Sequence, residues 1–224
     1  MSTLEKRQAA DLPGYAKIRQ MNRGSYDRDL VNEILDAGLV AHVAFIDGDR
    51  PIVIPMAYAR IDDRLYIHGA STTRIVKANG GGVPASLEVT LIDGIVVARS
   101  GFHHSVNYRC AIVHGTARLV EDPQEQIEAL AAITDHLLPG RWDECREMMA
   151  KELKATGVLA LDMEHVSTKV RGGGPVDDKE DLGTDIWAGV VPVVTALGQP
   201  LAAPDVPADT PVPASIPAAR KKFA

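Results

Sequence analysis

The 224-residue sequence predicts a mainly β fold, in which six short antiparallel strands form a small barrel with helices at its periphery. Its β-rich segments are short, and turn residues separate them at Asp47-Gly48-Asp49, Asp62-Asp63 and Asp93-Gly94. The connections between the first three segments are too short for a crossover helix, so neighbouring strands must run antiparallel. Closing the sheet into a barrel removes exposed strand edges.

Before the strands, the sequence predicts a polar arm and one helix. Residues 1–24 are polar and are interrupted by Pro13-Gly14, so we interpret them as an N-terminal arm. Ser25 and Asp27 offer N-caps for a helix that runs to Asp36 and ends at Gly38. Its apolar residues recur at helical spacing: Leu30, Val31, Ile34 and Leu35. The folded domain is expected to span residues 25–197.

Alternating β-rich segments and turns predict the order of the remaining elements. After residue 120 the prediction changes to helix, because Glu121-Asp122-Pro123 opens an apolar periodic segment that Pro139-Gly140 ends. A second helix is predicted from Trp142 to Lys154. The predicted strands are 40–46, 52–61, 65–67, 85–92, 95–98 and 108–120, with a closing strand at 156–163.

Pro55 lies inside the second predicted strand, where its missing N–H cannot join a ladder. That strand must therefore lie at an edge or carry a bulge. Two interpretations stay open. Pro55 marks an ordinary barrel rim, or it opens the strand so that backbone groups can meet a planar ligand.

The C-terminal segment 198–224 differs in composition from the rest of the chain. Residues 198–217 contain six prolines among Ala, Val, Asp and Thr, which predicts a semi-extended, disordered tail. The basic end Arg220-Lys221-Lys222 is too short to indicate a nucleic-acid partner.

Composition excludes several classes of partner. The net charge of −6 and the pI of about 5.6 argue against binding to nucleic acid or to an anionic membrane surface. No apolar run approaches the length of a membrane span, and Cys110 and Cys145 are lone thiols, so a cytoplasmic protein is expected. His103-His104 has no cysteine or acidic partner at zinc spacing, so no metal site is predicted.

The segment Leu65–Lys77 carries the clearest chemical signal. A short strand leads through the small-residue turn His68-Gly69-Ala70 into a helix that Ser71 or Thr72 can cap. Arg74 and Lys77 are three residues apart and share a face, so a hydroxyl and two cations converge on a place for a phosphate. The following Asn79-Gly80-Gly81-Gly82 must end the helix. The alternative is a capped surface helix with two solvated cations.

This strand–turn–helix resembles the phosphate-binding segment of the pyridoxamine 5'-phosphate oxidase-like, FMN-binding split-barrel proteins. Three further segments match in the same order: Arg50–Met56, His103–Arg109 and Trp187–Pro192. The resemblance covers about residues 25–195 and is closest to the flavin-nucleotide-binding branch that includes nitroimidazole reductases.

The resemblance implies an FMN-dependent oxidoreductase, similar to pyridoxamine 5'-phosphate oxidase or to nitroreductases, that acts on a small molecule. It also implies a homodimer that holds FMN at its interface. A purely structural role remains the alternative for two segments. Residues 107–109 could simply start a strand, and Trp187 could be a buried residue that docks the C-terminal segment. The implied cofactor-binding residues are Pro55, Met56, His68, Gly69, Ser71, Arg74, Lys77, Asn107, Tyr108, Arg109 and Trp187.

Two other functional classes stay open at this stage. One is a non-catalytic flavin-binding or storage protein, and the other is a split barrel that binds haem or a deazaflavin. The chain lacks the C-terminal Arg-x-His of the pyridoxamine-phosphate oxidases proper, which weakens the case for that oxidation. No residue is identified as a general acid or base, and His68 and His104 are the first candidates for substitution. Neither the substrate nor the reductant follows from the sequence.

Overall fold

The computed structural model describes residues 11–78 and 82–224. Within them ten strands form a mainly antiparallel sheet accompanied by six short α-helices. This confirms the predicted mainly β class, whereas the predicted count of six strands is wrong. Residues 1–10 of the predicted arm and the predicted helix stop at Asn79-Gly80-Gly81 lie outside the described residues. No described helix is long and apolar enough to cross a membrane.

The sheet elements follow one another along most of the chain, and the helices fall between them. Short 3-10 turns lie at Gly14–Ala16 and Gly101–His103. The strands are β1 (Gly24–Ser25), β2 (Ala41–Asp47), β3 (Arg50–Met56), β4 (Tyr58–Ile61), β5 (Arg64–Ala70), β6 (Val83–Val97), β7 (Ser105–Leu119), β8 (Thr156–Asp162), β9 (His165–Arg171) and β10 (Gly189–Pro192). The helices are α1 (Arg28–Ala37), α2 (Arg74–Ala78), α3 (Pro123–Leu137), α4 (Arg141–Glu144), α5 (Ala150–Ala155) and α6 (Ser215–Lys222).

The chain divides into two compact units. The first comprises residues 11–38, 88–113 and 165–194 of the described chain, and its strands pair in the order β1-β9-β7-β6-β10. Helix α1 begins as predicted, because the Asp27 carboxylate accepts a hydrogen bond from the Asp29 N–H at 2.9 Å. Val31, Ile34 and Leu35 on its apolar face are fully buried, which confirms the predicted amphipathic helix.

The second unit comprises residues 39–87, 114–164 and 195–224 and contains the order β3-β2-β6-β7-β8-β5-β4. Helix α3 starts at the predicted place, capped by the Asp122 carboxylate. Its buried residues Leu130 and Ile133 pack in one apolar cluster with Tyr66 and Val158 from the sheet. This cluster is the core on which β5, the strand of the candidate site, rests.

Strand β3 is an edge strand among the described strands, because β2 is its neighbour and the order ends there. Pro55 lies opposite His42 and Pro51 opposite Ile46 in the β2–β3 ladder. The edge position predicted from Pro55 is therefore confirmed. The predicted strand 52–61 is wrong as one element, since the ladder breaks at Ala57 to give β3 and β4.

The predicted hairpin at Asp93-Gly94 is wrong. Strand β6 runs without interruption from Val83 to Val97, and the chain reverses only after it, before β7. Gly94 is needed for a different reason: a Cβ there would lie 2.9 Å from Val190 Cγ1 and 3.1 Å from Val191 O. The glycine allows β10 to pair closely with β6, so the dipeptide is a packing position and not a turn.

The segment around residue 70 also differs from the prediction. Strand β5 extends to Ala70, so His68-Gly69-Ala70 is strand and not turn. Helix α2 begins at Arg74 and is preceded by Thr73, so the predicted caps Ser71 and Thr72 are displaced by one or two residues. The Thr73 hydroxyl donates to Ala70 O at 2.9 Å and stabilises the turn instead.

The C-terminal tail ends in an ordered helix, contrary to the disorder predicted for 198–224. Buried Ser215 starts α6, and its hydroxyl donates to Glu144 Oε2 at 2.6 Å. Lys222 Nζ donates to His136 O at 2.6 Å, and Phe223 is buried beside the His136 ring. Composition alone could not reveal these distant partners. The predicted helix 142–154 is likewise interrupted, giving α4 and α5.

Replacing Gly115 with alanine is expected to destabilise the second unit. A Cβ at Gly115 would lie 1.9 Å from Asp162 O, so the backbone must shift to admit it. Overpacking of this kind costs about 1–3 kcal/mol or more of unfolding free energy. Chemical denaturation measures the change, and Gly14→Ala is the control, because nothing lies within 4 Å of a Cβ there. Equal stability of the Gly115→Ala protein and the wild type would contradict this packing.

Candidate functional site

His68 is the polar side chain of strand β5 that lacks a protein partner. It is half-buried, lies opposite Val158 of β8, and its Nδ1 is buried without a hydrogen bond among the described residues. Burial lowers the pKa of His68, so the ring is neutral at physiological pH. A buried ring nitrogen without a partner is costly, which makes His68 a candidate ligand-binding group.

The cations that follow His68 are exposed on helix α2. Arg74 is 71% exposed, and its Nη1 lies 3.7 Å from Asp47 Oδ2, a surface ion pair that contributes little. Lys77 and the Ser71 side chain are also exposed. The backbone N–H of Ser71 is engaged with Ala155 O at 2.9 Å, which fixes the turn. Two cations and a hydroxyl are thus available to an anionic group.

Two glycines explain how α2 lies so close to the sheet. Gly69 pairs with Gly157 across β5 and β8. A Cβ at Gly157 would lie 2.6 Å from Val76 Cγ1, and one at Gly69 would lie 3.1 Å from Thr73 Oγ1. The bare pair therefore makes room for α2. The predicted contact of Gly69 with the cofactor stays a prediction.

The other predicted contacts in the second unit lie on the edge strand β3. Pro55 is exposed there, and Met56 is partly exposed opposite Ala41 of β2. The second unit thus holds seven of the eleven predicted contacts: Pro55, Met56, His68, Gly69, Ser71, Arg74 and Lys77.

The remaining predicted contacts belong to the first unit, and Arg109 and Tyr108 both have protein partners there. Arg109 donates to both carboxylate oxygens of Asp93, at 3.1 and 2.9 Å, and this raises the pKa of Arg109. The Tyr108 ring lies under Lys169 Nζ, 5.6 Å from the ring centroid. The Arg109 guanidinium is therefore largely neutralised within the chain.

Asn107 and Trp187 complete the set in the first unit. The buried Asn107 amide accepts a hydrogen bond from Arg171 Nη1 and donates one to Gly173 O at 3.0 Å, so both of its ends are engaged. Trp187 is 64% exposed, and its ring lies where a Cβ on Gly189 would come within 2.9 Å. Trp187 is therefore not buried, contrary to the alternative in which it docks the C-terminal segment.

A polar cluster on β5 was missed from the sequence. Buried Tyr66 donates to Glu125 Oε1 at 2.9 Å, and Arg118 Nη2 donates to the same oxygen at 2.6 Å. The Arg118 guanidinium lowers the pKa of Glu125, whereas burial and then the bond to Glu125 raise the pKa of Tyr66. Tyr66 and Glu125 are 59 residues apart, so no local pattern could join them.

Comparison with known proteins identifies the family. Residues 27–170 match the sequence profile of the pyridoxamine 5'-phosphate oxidase family, which is more than half of the chain. The chain belongs to this family. No curated protein matches it.

Two solved structures are similar over nearly the whole chain. The flavocytochrome Anf3 from Azotobacter vinelandii is 36% identical with a TM-score of 0.86, covering 92% of this chain and 96% of its own. The FAD and haem binding protein from Mycobacterium smegmatis is 39% identical with a TM-score of 0.84, covering 88% of this chain and 97% of its own.

A third solved structure supports the fold alone. It is a 5-nitroimidazole antibiotic resistance protein candidate from Bacteroides thetaiotaomicron, 18% identical with a TM-score of 0.55, covering 66% of this chain and 86% of its own. The family and the solved relatives confirm the split barrel predicted from the sequence.

Replacing Glu125 with glutamine is expected to destabilise the protein in a pH-dependent way. Losing the charged acceptor of Arg118 and Tyr66 costs about 1–3 kcal/mol at neutral pH. Because the pKa of Glu125 is lowered in the folded state, its contribution is present above the ordinary value of 4.5 and is lost as pH falls through the folded value. Chemical denaturation at a series of pH values should show that the difference in unfolding free energy between wild type and variant becomes smaller below that pH.

The control is Glu128→Gln, because exposed Glu128 accepts only a hydrogen bond from Gln124, at 2.8 Å. Its gap from the wild type should stay small at every pH. A Glu125→Gln gap that is constant from about pH 7 to about pH 3 would show that the cluster carries no linked charge.

Proposed function

We propose that the chain is a flavoprotein that binds a flavin nucleotide and haem and works as an oxidoreductase on a small molecule. The two relatives at 36% and 39% identity support this, since one is named a flavocytochrome and the other an FAD and haem binding protein. Each matches at least 88% of this chain.

The observation that carries the proposal is the buried Nδ1 of His68, which no described residue satisfies. The isoalloxazine ring of a flavin offers hydrogen-bonding nitrogens and oxygens along one edge. A neutral imidazole can bond to such an edge without adding charge, and the lowered pKa of His68 keeps it neutral. His68 therefore fits a contact with the flavin ring.

The flavin phosphate would be held by the residues that follow His68. Arg74 can form two parallel hydrogen bonds to a phosphate, Lys77 adds a second positive charge, and Ser71 adds a hydroxyl. Asp47, 3.7 Å from Arg74, keeps the guanidinium near the surface without saturating it. These side chains supply binding and orientation.

The identity of the nucleotide is part of the proposal. The sequence resemblance implied FMN, whereas the relative at 39% identity is named for FAD. Both carry the ring and the phosphate that His68 and Arg74 would contact, and we favour FAD because of that relative. FMN stays a prediction that the same binding experiment tests.

For haem, the described residues offer a suitable imidazole in His165. It is half-buried at the start of β9, and its ring centroid lies 6.0 Å from that of Tyr15. Its nitrogens form no hydrogen bond among the described residues. A neutral imidazole is a common axial ligand of haem iron. The ring nitrogens of four other histidines already have partners within the described chain: His103, His104, His114 and His136.

The chemistry of electron transfer would belong to the bound cofactors. The chain's own contribution is to bind and orient them, and we assign no described residue as a general acid or base. This leaves a non-catalytic flavin-binding role as an outcome that turnover measurements must exclude.

We also propose that the chain forms the predicted homodimer. In the first unit Ile95 of β6 and Val191 of β10 lie opposite each other, and they are 49% and 47% exposed. Trp187 precedes β10 and is more exposed still. Neighbouring exposed apolar side chains indicate a protein interface. In such a dimer the second subunit would bring its own Trp187 or Tyr108 to the flavin, which would shield the ring from water.

Replacing Arg74 with alanine should weaken FAD and FMN binding about ten- to a hundredfold, because a charge-assisted hydrogen bond typically contributes about 1.5–3 kcal/mol. Riboflavin, which lacks the phosphate, should bind as it does to the wild type. Fluorescence titration of the three flavins measures the effect. The control is Arg50→Ala, which removes an exposed arginine from β3 in the same unit. Equal losses for riboflavin would overturn the phosphate assignment.

The purified protein should carry flavin bands and a Soret band, and it should elute with the mass of two chains. Size-exclusion chromatography with light scattering and absorbance detection measures all three properties together. A protein that shows neither band after incubation with FAD and haem would refute the cofactor proposal. A monomer that retains bound flavin would refute the dimer.

Two histidine variants separate the cofactors. His68→Ala should lose flavin and keep the Soret band, whereas His165→Ala should lose the Soret band and keep flavin. His104→Ala is the control, because the His104 Nδ1 is already bonded to Ser100 O at 2.8 Å. If His165→Ala leaves the Soret band unchanged, the axial ligand lies elsewhere.

A further inference from the structure

Arg171 is a buried cation at the end of strand β9. The residue is only 9% exposed, and its guanidinium donates to Asn107 Oδ1 and, at 3.4 Å, to Gly174 O. Both acceptors are neutral. A guanidinium has five N–H donors, so three of them lack a protein acceptor in the part of the chain that the structure describes.

A buried charge is strongly unfavourable unless an opposite charge compensates it. The nearest acidic residues along the chain are engaged elsewhere. Asp177 accepts from the Arg99 N–H at 2.8 Å and from Arg99 Nη1 at 2.6 Å, and Asp178 lies 3.1 Å from His103 Nε2. Arg171 therefore has no counter-ion among the described residues, although the segment that follows it is acidic.

The backbone beside Arg171 leaves room for a ligand. Gly172, Gly173 and Gly174 follow it directly, and a Cβ at any of the three would meet nothing within 4 Å. Gly173 has φ +102°, a conformation that favours glycine. The Asn107 amide donates a hydrogen bond to Gly173 O and so fixes the conformation of the turn beside this open space. An anion can approach a turn of this kind closely.

We propose that Arg171 and the turn Gly172–Gly174 form a binding site for an oxyanion, a carboxylate or phosphate group of a small ligand. The planar guanidinium matches either group with two parallel hydrogen bonds. Under the proposed function a haem propionate carries this chemistry, because the flavin phosphate is assigned to Arg74 and Lys77. A flavin phosphate at Arg171 is the alternative source, and the test distinguishes the two. The identity of the source rests on that proposed function, whereas the oxyanion site itself does not.

The test compares wild-type protein with Arg171→Gln by calorimetric titration of matched probes. The pairs are haem against haem dimethyl ester, FMN against riboflavin, and inorganic pyrophosphate alone. Arg171→Gln should weaken at least one anionic probe roughly tenfold or more and leave its neutral counterpart unchanged. The haem pair identifies a propionate, and the FMN pair identifies a phosphate.

A matched variant and a matched control sharpen the result. Asn107→Asp places a carboxylate directly on Arg171 and removes the donor to Gly173 O, so it should abolish the anion's advantage. Lys169→Gln removes an exposed positive charge two residues away and should change anion affinity less than threefold. If Lys169→Gln weakens the anions as much as Arg171→Gln does, the effect is general electrostatics and the site is refuted.

The wild-type protein gives a measurement that survives a failure of the variants to fold. Titrating pyrophosphate, haem or FMN into labelled protein should shift the backbone amide resonances of Gly172–Gly174. Unperturbed glycine amides with all three probes would overturn the proposal. Failure of haem and flavin to bind would overturn the proposed function, and pyrophosphate would still decide the oxyanion site.

Discussion

Helix α2 can carry Arg74 and Lys77 beside strand β5 only because Gly157 leaves room for Val76. With any side chain at that position, Val76 would have to move, and the turn from His68 to Arg74 would move with it. The position of the cations therefore depends on packing beneath them. Gly69 on the paired strand has the same effect on the Thr73 side of the turn. The candidate site is built on a glycine pair whose lack of side chains makes room for α2.

Local signals predicted the fold well where the partners are close in the sequence. The cap at Asp27, the apolar stripe of α1 and the start of α3 at Pro123 each depend on residues within one or two turns of each other. The hairpin predicted at Asp93-Gly94 was wrong because the same dipeptide can also allow two strands to pack closely. The strand that requires the glycine, β10, lies almost a hundred residues later. The ordered C-terminal helix was missed for the same reason, since Ser215 finds Glu144 only in the folded chain.

The candidate site follows the same rule. The segment from His68 to Lys77 could be identified as a candidate from the sequence, because its polar groups are contiguous and a family resemblance supports it. Its burial was not predictable, and neither was the unsatisfied nitrogen of His68. Arg171 and Asn107 are 64 residues apart, so the sequence shows only a glycine-rich turn after two cations. The burial of Arg171 depends on contacts between segments that are far apart in the chain, and the sequence does not show these contacts.

Strand β3 has a consequence for how the protein avoids self-association. In an antiparallel ladder the backbone N–H groups of alternate residues point away from the partner strand. Each proline of β3 must have its nitrogen on that free side, because it has no N–H to donate to β2. Val53 lies between Pro51 and Pro55 and therefore has its N–H on the same side. Val53 alone can therefore donate to an incoming strand, although its side chain is 62% exposed and apolar. The two prolines interrupt the regular row of backbone N–H donors to which another strand would have to pair in an aggregate. Any contact between copies of this chain at β3 must therefore use side chains and not the extension of its sheet.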